Sequence, residues 1–354
     1  MAHAARRVVP ALVGLALVAA GCGGDGSAAA DGGWILGLLD RIPATAQDPV
    51  DVMVVDLASA AAAAGLAAPG PEASDDLVVN YFLGMPRDAL VPELLRDPAP
   101  DFAALTREIG IEPALVTAAI TAGTPAGLYQ VLQGSFDRAA IDRAVRADSV
   151  WSDLLTTAEH AGVTYYSWGD DFQTDLARVT PVRPLGRGGR LALDGEYLHW
   201  APWTAGMVGL IDAGSGAVPT LADDPLLARV ARALEQAGVY SAILSVTSLN
   251  DLGAPASGRV LGIGGGRDDA GVFWVIAAIH DTAVAAEESA EAVRAVLTEG
   301  TIQSTGDPWS QRVSGFEVTV EGDLLLVVAR ATAGEGDWMR AYFTREALVL
   351  AAQG

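Results

Sequence analysis

A single cysteine, Cys22, is the feature that most restricts what this chain can fold into. With no second thiol there is no intramolecular disulfide, no Cys-x-x-Cys redox pair and no Cys-rich zinc site. The fold must therefore be held by a hydrophobic core and its hydrogen bonds. Composition supplies that core: of 354 residues, 51% are hydrophobic and 19% charged. All 22 basic residues are arginine, as GC-rich coding tends to produce. The missing lysine removes a Lys-Ser/Thr phosphate loop, a kinase lysine, a Ser-x-x-Lys acylation site and Schiff-base chemistry. A formal charge of −22 argues against a nucleic-acid partner and against direct attraction to anionic lipid.

The chain begins with an address. Arg6 and Arg7 precede the apolar run Val8 to Ala20, 13 residues that include Pro10. A permanent spanning helix needs roughly 20 residues, so the run suits a signal h-region. Ala19-Ala20-Gly21 then lead into Cys22. This resembles the lipobox of bacterial lipoproteins, with Ala19 where that family usually carries Leu. The resemblance implies that residues 1–21 are a signal peptide and that Cys22 becomes the acylated (palmitate-bearing) N-terminus. It also implies an exported protein anchored to the outer face of the cytoplasmic membrane. An ordinary secretory signal that happens to adjoin a cysteine is the alternative. Arg6-Arg7 fits either general export or a twin-arginine signal. Removing residues 1–21, which carry two arginines and no acid, takes the formal charge to −24. Residues 22–33, rich in Gly, Ala and Asp, read as a flexible tether. No later run approaches 18 apolar residues.

From Trp34 onward the pattern is that of a folded chain, expected to divide into subdomains 34–240 and 241–354. Asp51–Asp56 reads as a strand followed by an alanine-rich helix. Phe102–Ile109 and Pro113–Ala122 read as a helix pair broken at Gly110. Gly127–Leu132 is a strand, and Ser135 an N-cap for a helix over 136–147. Val150–Ala161 reads as a further helix and Val163–Trp168 as a strand. Asp194-Gly195 and Glu321-Gly322 are two-residue hairpin signals. Helices are expected at 203–213, 222–237 and 282–297, and strands at 239–246, 258–263 and 272–279. The two hairpins align without gaps at an offset of 127 residues. A strand–helix–strand–strand duplication with unequal insertions is the reading. The expected class is α+β: largely antiparallel sheets with helices packed on one face.

Several phrases carry a family resemblance: Leu39-Asp40-Arg41-Ile42-Pro43-Ala44-Thr45-Ala46, Gly134-Ser135-Phe136-Asp137, Arg190-Leu191-Ala192-Leu193 and Thr220-Leu221-Ala222-Asp223. The chain resembles uncharacterised actinobacterial lipoproteins and exported proteins, and a broader bacterial domain family of unknown function. That resemblance brings no catalytic residues.

Candidate sites are few. Gly262-Ile263-Gly264-Gly265-Gly266 lacks the helix that a dinucleotide site needs after its glycines, and reads as a strand end and hairpin loop. Asp170, Asp171 and Asp175 offer the oxygen ligands of a calcium loop without its alternating spacing, so a solvated loop is preferred. His160, His199 and His280 are not spaced as helical metal ligands. Tyr166, Trp168 and Trp200 form a candidate aromatic binding surface, with sheet core as the plainer alternative. No cofactor or catalytic residue is expected. The reading is a non-catalytic envelope lipoprotein that binds an envelope protein, glycan or small ligand. A carrier of an apolar ligand and a carboxylate-dependent hydrolase are the alternatives.

Overall fold

The computed structural model describes residues 33–46, 51–70, 73–97, 101–124, 127–245, 258–332 and 337–346. The expected signal peptide, Cys22 and the expected tether up to residue 32 lie outside them. In chain order the elements are α1 (Trp34–Leu39), β1 (Asp51–Asp56), α2 (Leu57–Ala63), α3 (Asp75–Gly84), α4 (Glu93–Arg96), α5 (Ala103–Ile109), β2 (Val116–Thr124) and β3 (Gly127–Gly134). Then come α6 (Arg138–Ala147), β4 (Leu155–His160), β5 (Val163–Trp168), β6 (Gly189–Asp194), β7 (Tyr197–Ala201), α7 (Thr204–Gly214) and α8 (Pro225–Gln236). The chain continues through β8 (Ser241–Ser245), β9 (Gly258–Asp268), β10 (Gly271–His280), α9 (Ala283–Glu299), β11 (Val313–Glu321), β12 (Leu324–Ala331) and α10 (Asp337–Phe343).

Among the described residues, all twelve strands form one antiparallel sheet in the order β11-β12-β10-β9-β8-β1-β2-β3-β7-β6-β5-β4. The fold is α+β, as expected. Seven helices, α2–α6, α9 and α10, pack on one face, where they close two clusters around Val55, Ala119 and Leu132 and around Ile243, Ile263 and Trp274. The other face is closed at its centre by α1, α7 and α8 over Val52, Val54, Ile120 and Val275. Strand β1 is buried on both sides, so its sequence DVMVVD is almost continuously apolar.

The duplication is visible in the pairing registers. Asp194 faces Tyr197 across the β6–β7 turn and Glu321 faces Leu324 across β11–β12, equivalent positions at an offset of 127. In each half the returning strand docks on the strand before the helix: β7 on β3 and β12 on β10. The halves meet through β1 and β8, where Met53 faces Ile243. Met53 faces Thr121 and Ile243 faces Ile263 on the next strand out, so these two residues are also structural equivalents. A pseudo-twofold axis therefore passes through their pairing, beside the expected 240/241 boundary, and the two halves share one sheet.

Several sequence expectations need correction. Pro113–Ala122 is a 3-10 turn (Pro113–Leu115) leading into β2, not a helix. Its alanines favour helix, but Val116, Ile120 and two threonines are β-branched and the strand is paired on both sides. Val150–Ala161 contains the edge strand β4, not a helix. Ala161 and Gly162 both take positive φ, making the two-residue turn that folds β4 onto β5. The helix α6 is capped by Asp137, whose carboxylate accepts from the Ala139 N–H, and not by Ser135.

The glycine string proves to be strand interior, not a strand end and loop. It runs through β9, paired on one side with β8 and on the other with β10. Each glycine admits a neighbour: a Cβ at Gly262 would fall within 3.0 Å of Val230 and Leu234, so α8 lies directly on the strand. At Gly265 it would strike Trp338 and Asp88. Asp88 is fully buried there and accepts from Tyr240 Oη (2.7 Å) and Trp338 Nε1 (2.8 Å), which fastens α10 to the sheet.

Candidate functional site

The loop from Gly169 to Gly188, between β5 and β6, folds back over β3 and β7. Arg190 on β6 holds its start: the buried guanidinium donates to the carbonyls of Gly169 (3.0 Å) and Asp170 (3.4 Å) and pairs with Asp171 (2.7 Å). Asp171 also accepts from the Thr204 N–H and hydroxyl, both at 2.8 Å. Its pKa is lowered by these bonds and by Arg190, against desolvation as the largest opposing effect. Asp175 caps the 3-10 turn Leu176–Arg178 through the Ala177 N–H and lies 3.4 Å from Arg178. The carboxylates of Asp171 and Asp175 are thus committed to different structural partners. Among the described residues no group of three or more His, Cys, Asp or Glu side chains is arranged to hold a metal ion.

Gly186 closes the loop. Its φ is +58° and its side-chain position is filled by the Asp175 carbonyl, so only glycine fits. Phe172, also at positive φ, stacks on Trp203 at 5.3 Å.

Beneath the loop lies a charged core. Arg183 is 1% exposed and reaches Asp148 at 3.3 Å and Glu108 at 3.4 Å, while Thr180 donates to Glu108 at 2.6 Å. The guanidinium also lies against the rings of Trp168 (4.8 Å) and Trp151 (5.3 Å). Burial pushes the Glu108 carboxyl up against the pull of Thr180 and Arg183. The sequence gives little signal for this triad, whose members come from α5, the end of α6 and the loop.

The aromatic residues singled out from the sequence do share one sheet face. Tyr166 and Trp168 lie 6.4 Å apart, and Trp168 and Trp200 6.2 Å. They form a roofed row and not an open shelf, because Tyr166 and Trp168 are buried under α6 and the loop and only Trp200 is partly exposed. Tyr166 donates to Asp142 at 2.9 Å; burial and that carboxylate push its pKa up to about 12.

Between α4 and the loop opens a cavity of about 200 Å³. Leu94, Leu128, Val182, Leu185, Trp200 and Pro202 give it apolar walls. Phe172 and Leu185 are exposed at its edge, with Leu176 and Val179 exposed on the same loop. Polar groups enter from two sides. Glu93 and Asp97, one turn apart, come from α4 and its C-cap; Arg187, Gln173 and Thr174 come from the loop. Burial raises the Glu93 pKa, Asp97 raises it further, and Arg187 and Arg96 oppose. Gln130 of β3 lines the cavity and is 3% exposed. Its Oε1 accepts from the Leu94 N–H at 3.1 Å, and its amide nitrogen has no partner among the described residues. A second, more open depression lies between α5, α6 and the β6–β7 turn, lined by Glu112, Ser135, Phe136 and Arg143.

The histidines play separate parts. His160 bonds Asp212 at 2.6 Å. His199 and His280 are buried, with no hydrogen-bond partner for any ring nitrogen among the described residues. Burial drives the His199 pKa down to about 4 and lowers that of His280.

No protein-family model matches the sequence. No curated protein matches it at a significant level. Solved structures of TP0453 show a weak likeness. Crystal form III gives a TM-score of 0.41 at 10% identity, covering 83% of this chain and 93% of that one. Crystal form I gives 0.40 at 11% identity, covering 88% and 97%. A likeness of this size assigns neither an activity nor a site.

Proposed function

We propose that the chain is an exported, lipid-anchored protein of the cell envelope that binds a small ligand without converting it. The actinobacterial lipoprotein resemblance and the position of Cys22 support the anchor. One observation carries the binding role: the cavity between α4 and the 169–188 loop, with apolar walls, the Gln130 amide in its lining and charges of both signs. A cavity of about 200 Å³ suits a small molecule. Its lining contains no Ser, Cys or His. Glu93 and Asp97 stand on the same turn, whereas paired glycosidase carboxylates flank a substrate from opposite sides at ~5 Å or more. That arrangement favours binding over hydrolysis.

Two experiments test this. Full-length chain and the Cys22→Ser variant are fractionated and weighed; loss of membrane association and of acyl mass in the variant is the expected result, and no change overturns the anchor. Native mass spectrometry of the intact protein and of Leu128→Trp, which fills the cavity, tests the site. A small-molecule adduct confined to the unsubstituted protein is expected. An adduct retained in a folded Leu128→Trp overturns the assignment to this cavity, and its absence from both proteins overturns binding.

A further inference from the structure

Arg183 forms part of the cavity wall, and its side chain is 1% exposed. The guanidinium commits one nitrogen, Nη1, to both Glu108 and Asp148. Its Nε and Nη2 are buried and have no hydrogen-bond partner among the described residues. These two atoms share the edge opposite Nη1, the edge on which arginine offers two parallel N–H groups as a fork. The Trp168 ring lies 4.8 Å from the guanidinium, and its Nε1 is a further buried donor without a partner among those residues. A buried donor left unpaired is unfavourable, most of all on a charged group, so an acceptor delivered to the fork gains the difference.

The surroundings decide which acceptor fits. Arg183 carries one charge and already faces two carboxylates, so the fork calls for lone pairs on a neutral group and not for a third negative charge. The wall is balanced in the same way: Glu93 and Asp97 stand against Arg183 and Arg187, with neutral donors and acceptors from Gln173 and Thr174. Trp200 and Phe172 add aromatic surface, Phe172 with one face stacked on Trp203 and its ring exposed at the cavity edge. A neutral ligand with hydroxyls around its rim and an apolar face answers all three conditions.

We propose that this cavity binds one ring of a neutral sugar, with two neighbouring hydroxyl oxygens accepting from the Nε–Nη2 fork of Arg183 and the apolar face of the ring lying on Trp200. The proposal rests on the binding reading above. Two vicinal oxygens meet the two parallel N–H groups together, which a single alcohol does not. The remaining hydroxyls donate to Glu93 and Asp97 and accept from Arg187. A carboxylate matches the fork in shape, and Glu108 and Asp148 oppose its charge. A free sugar and the terminal residue of a glycan share the required chemistry.

The test is isothermal titration calorimetry on the full chain in a zwitterionic detergent, which brings no sugar headgroup. The probes are D-glucose, D-galactose, D-mannose and L-arabinose, their methyl glycosides, cyclohexanol and cyclohexanecarboxylate. At least one sugar binds, and the two cyclohexane compounds bind at least about tenfold more weakly. A methyl glycoside that binds as well as its parent assigns the end of a glycan; loss on methylation assigns a free sugar. Arg183→Lys keeps a cation beside Glu108 and Asp148 but removes the fork, and weakens the preferred sugar about tenfold. Trp200→Leu leaves the charged core in place and has a similar effect; it decides the matter alone if Arg183→Lys does not fold. Unchanged affinity in either folded variant overturns the proposal. So does equal or tighter binding of cyclohexanecarboxylate, or no heat from any sugar at millimolar concentration. If the native adduct lost in Leu128→Trp is not a polyol, the ligand class falls and the binding reading stands. If there is neither adduct nor heat, both fall.

Discussion

His199 makes the protein's stability depend on pH between the ordinary histidine value and its own lowered one. It sits on β7 with its side chain fully buried beside α7, and neither ring nitrogen has a partner among the described residues. Burial is the main cause of a pKa near 4 instead of 6.5; Arg41 adds to it and Asp194 opposes. The folded state therefore keeps His199 neutral where the unfolded chain already binds a proton. Stability is complete above pH 6.5, falls as pH drops towards 4, and loses no more from this residue below that. A shift from 6.5 to about 4 corresponds to ~3 kcal/mol at ~1.36 kcal/mol per unit. The assay is urea unfolding of the intact protein and of His199→Leu at several pH values from 4 to 7. Leu fills a similar volume and removes both orphan nitrogens, so at pH 7 the variant should be at least as stable. The difference between the two proteins should move by ~3 kcal/mol in favour of the variant between pH 7 and pH 4. Parallel stability curves over that range would show that His199 is not held neutral, and the burial argument would fail.

Three further outcomes follow from the packing. Arg183→Met leaves Glu108 and Asp148 without their cation and should cost ~3–5 kcal/mol in urea unfolding, largely recovered in the triple variant with Glu108→Gln and Asp148→Asn. Gly262→Ala drives a Cβ into Val230 and Leu234 and should cost ~1–3 kcal/mol, seen as a lowered melting temperature. Gly315→Ala, with open space around its Cβ position, should change stability far less. Spectrophotometric titration of Tyr166→Phe should lose a tyrosine that ionises near pH 12; an unchanged curve at that pH would contradict the Tyr166–Asp142 bond.

The features legible in the sequence are those decided locally. Both hairpins expected at Asp194-Gly195 and Glu321-Gly322 form with positive φ at the glycine, one residue later than expected: Asp194 pairs with Tyr197 and Glu321 with Leu324, so the loops are Gly195-Glu196 and Gly322-Asp323. Local capping follows the same rule: Asp223 forms a capping box with Thr220, and Asp224 is the N-cap of α8. Central strands were harder, because burial on both faces removes the alternation by which a strand is recognised. In β2 alanines read as helix, and in β9 glycines read as loop, since only tertiary packing reveals that Val230, Leu234, Trp338 and Phe273 occupy the missing side chains' space. The cavity was not legible at all. Gln130, Glu93 and Arg187 meet only after β3, α4 and the loop converge, and no spacing in the sequence announces it.

The duplicated frame explains where the cavity lies. Strands β1, β2, β3, β6 and β7 with α6 correspond to β8, β9, β10, β11 and β12 with α9, and these parts make the sheet and its two-fold pairing. The cavity draws most of its lining from segments added to the first half. Glu93, Leu94 and Asp97 come from the helices between β1 and β2; Phe172 to Gly188 come from the stretch between α6 and β6 that also carries β4 and β5. The frame contributes only Leu128, Gln130, Trp200 and Pro202 beneath them. A functional pocket built from insertions on a symmetric sheet has a physical consequence. The frame's registers fix the floor, while the loop above is held by Arg190, Arg178 and the charged core at Arg183. Ligand affinity should then be sensitive to Arg190 without the sheet being so. Arg190→Met removes the ties to Gly169, Asp170 and Asp171 and leaves β6 paired through its backbone. Weaker ligand binding with strand content by circular dichroism unchanged is the expected pair of results, and loss of the strand signal would show that loop and frame are one cooperative unit.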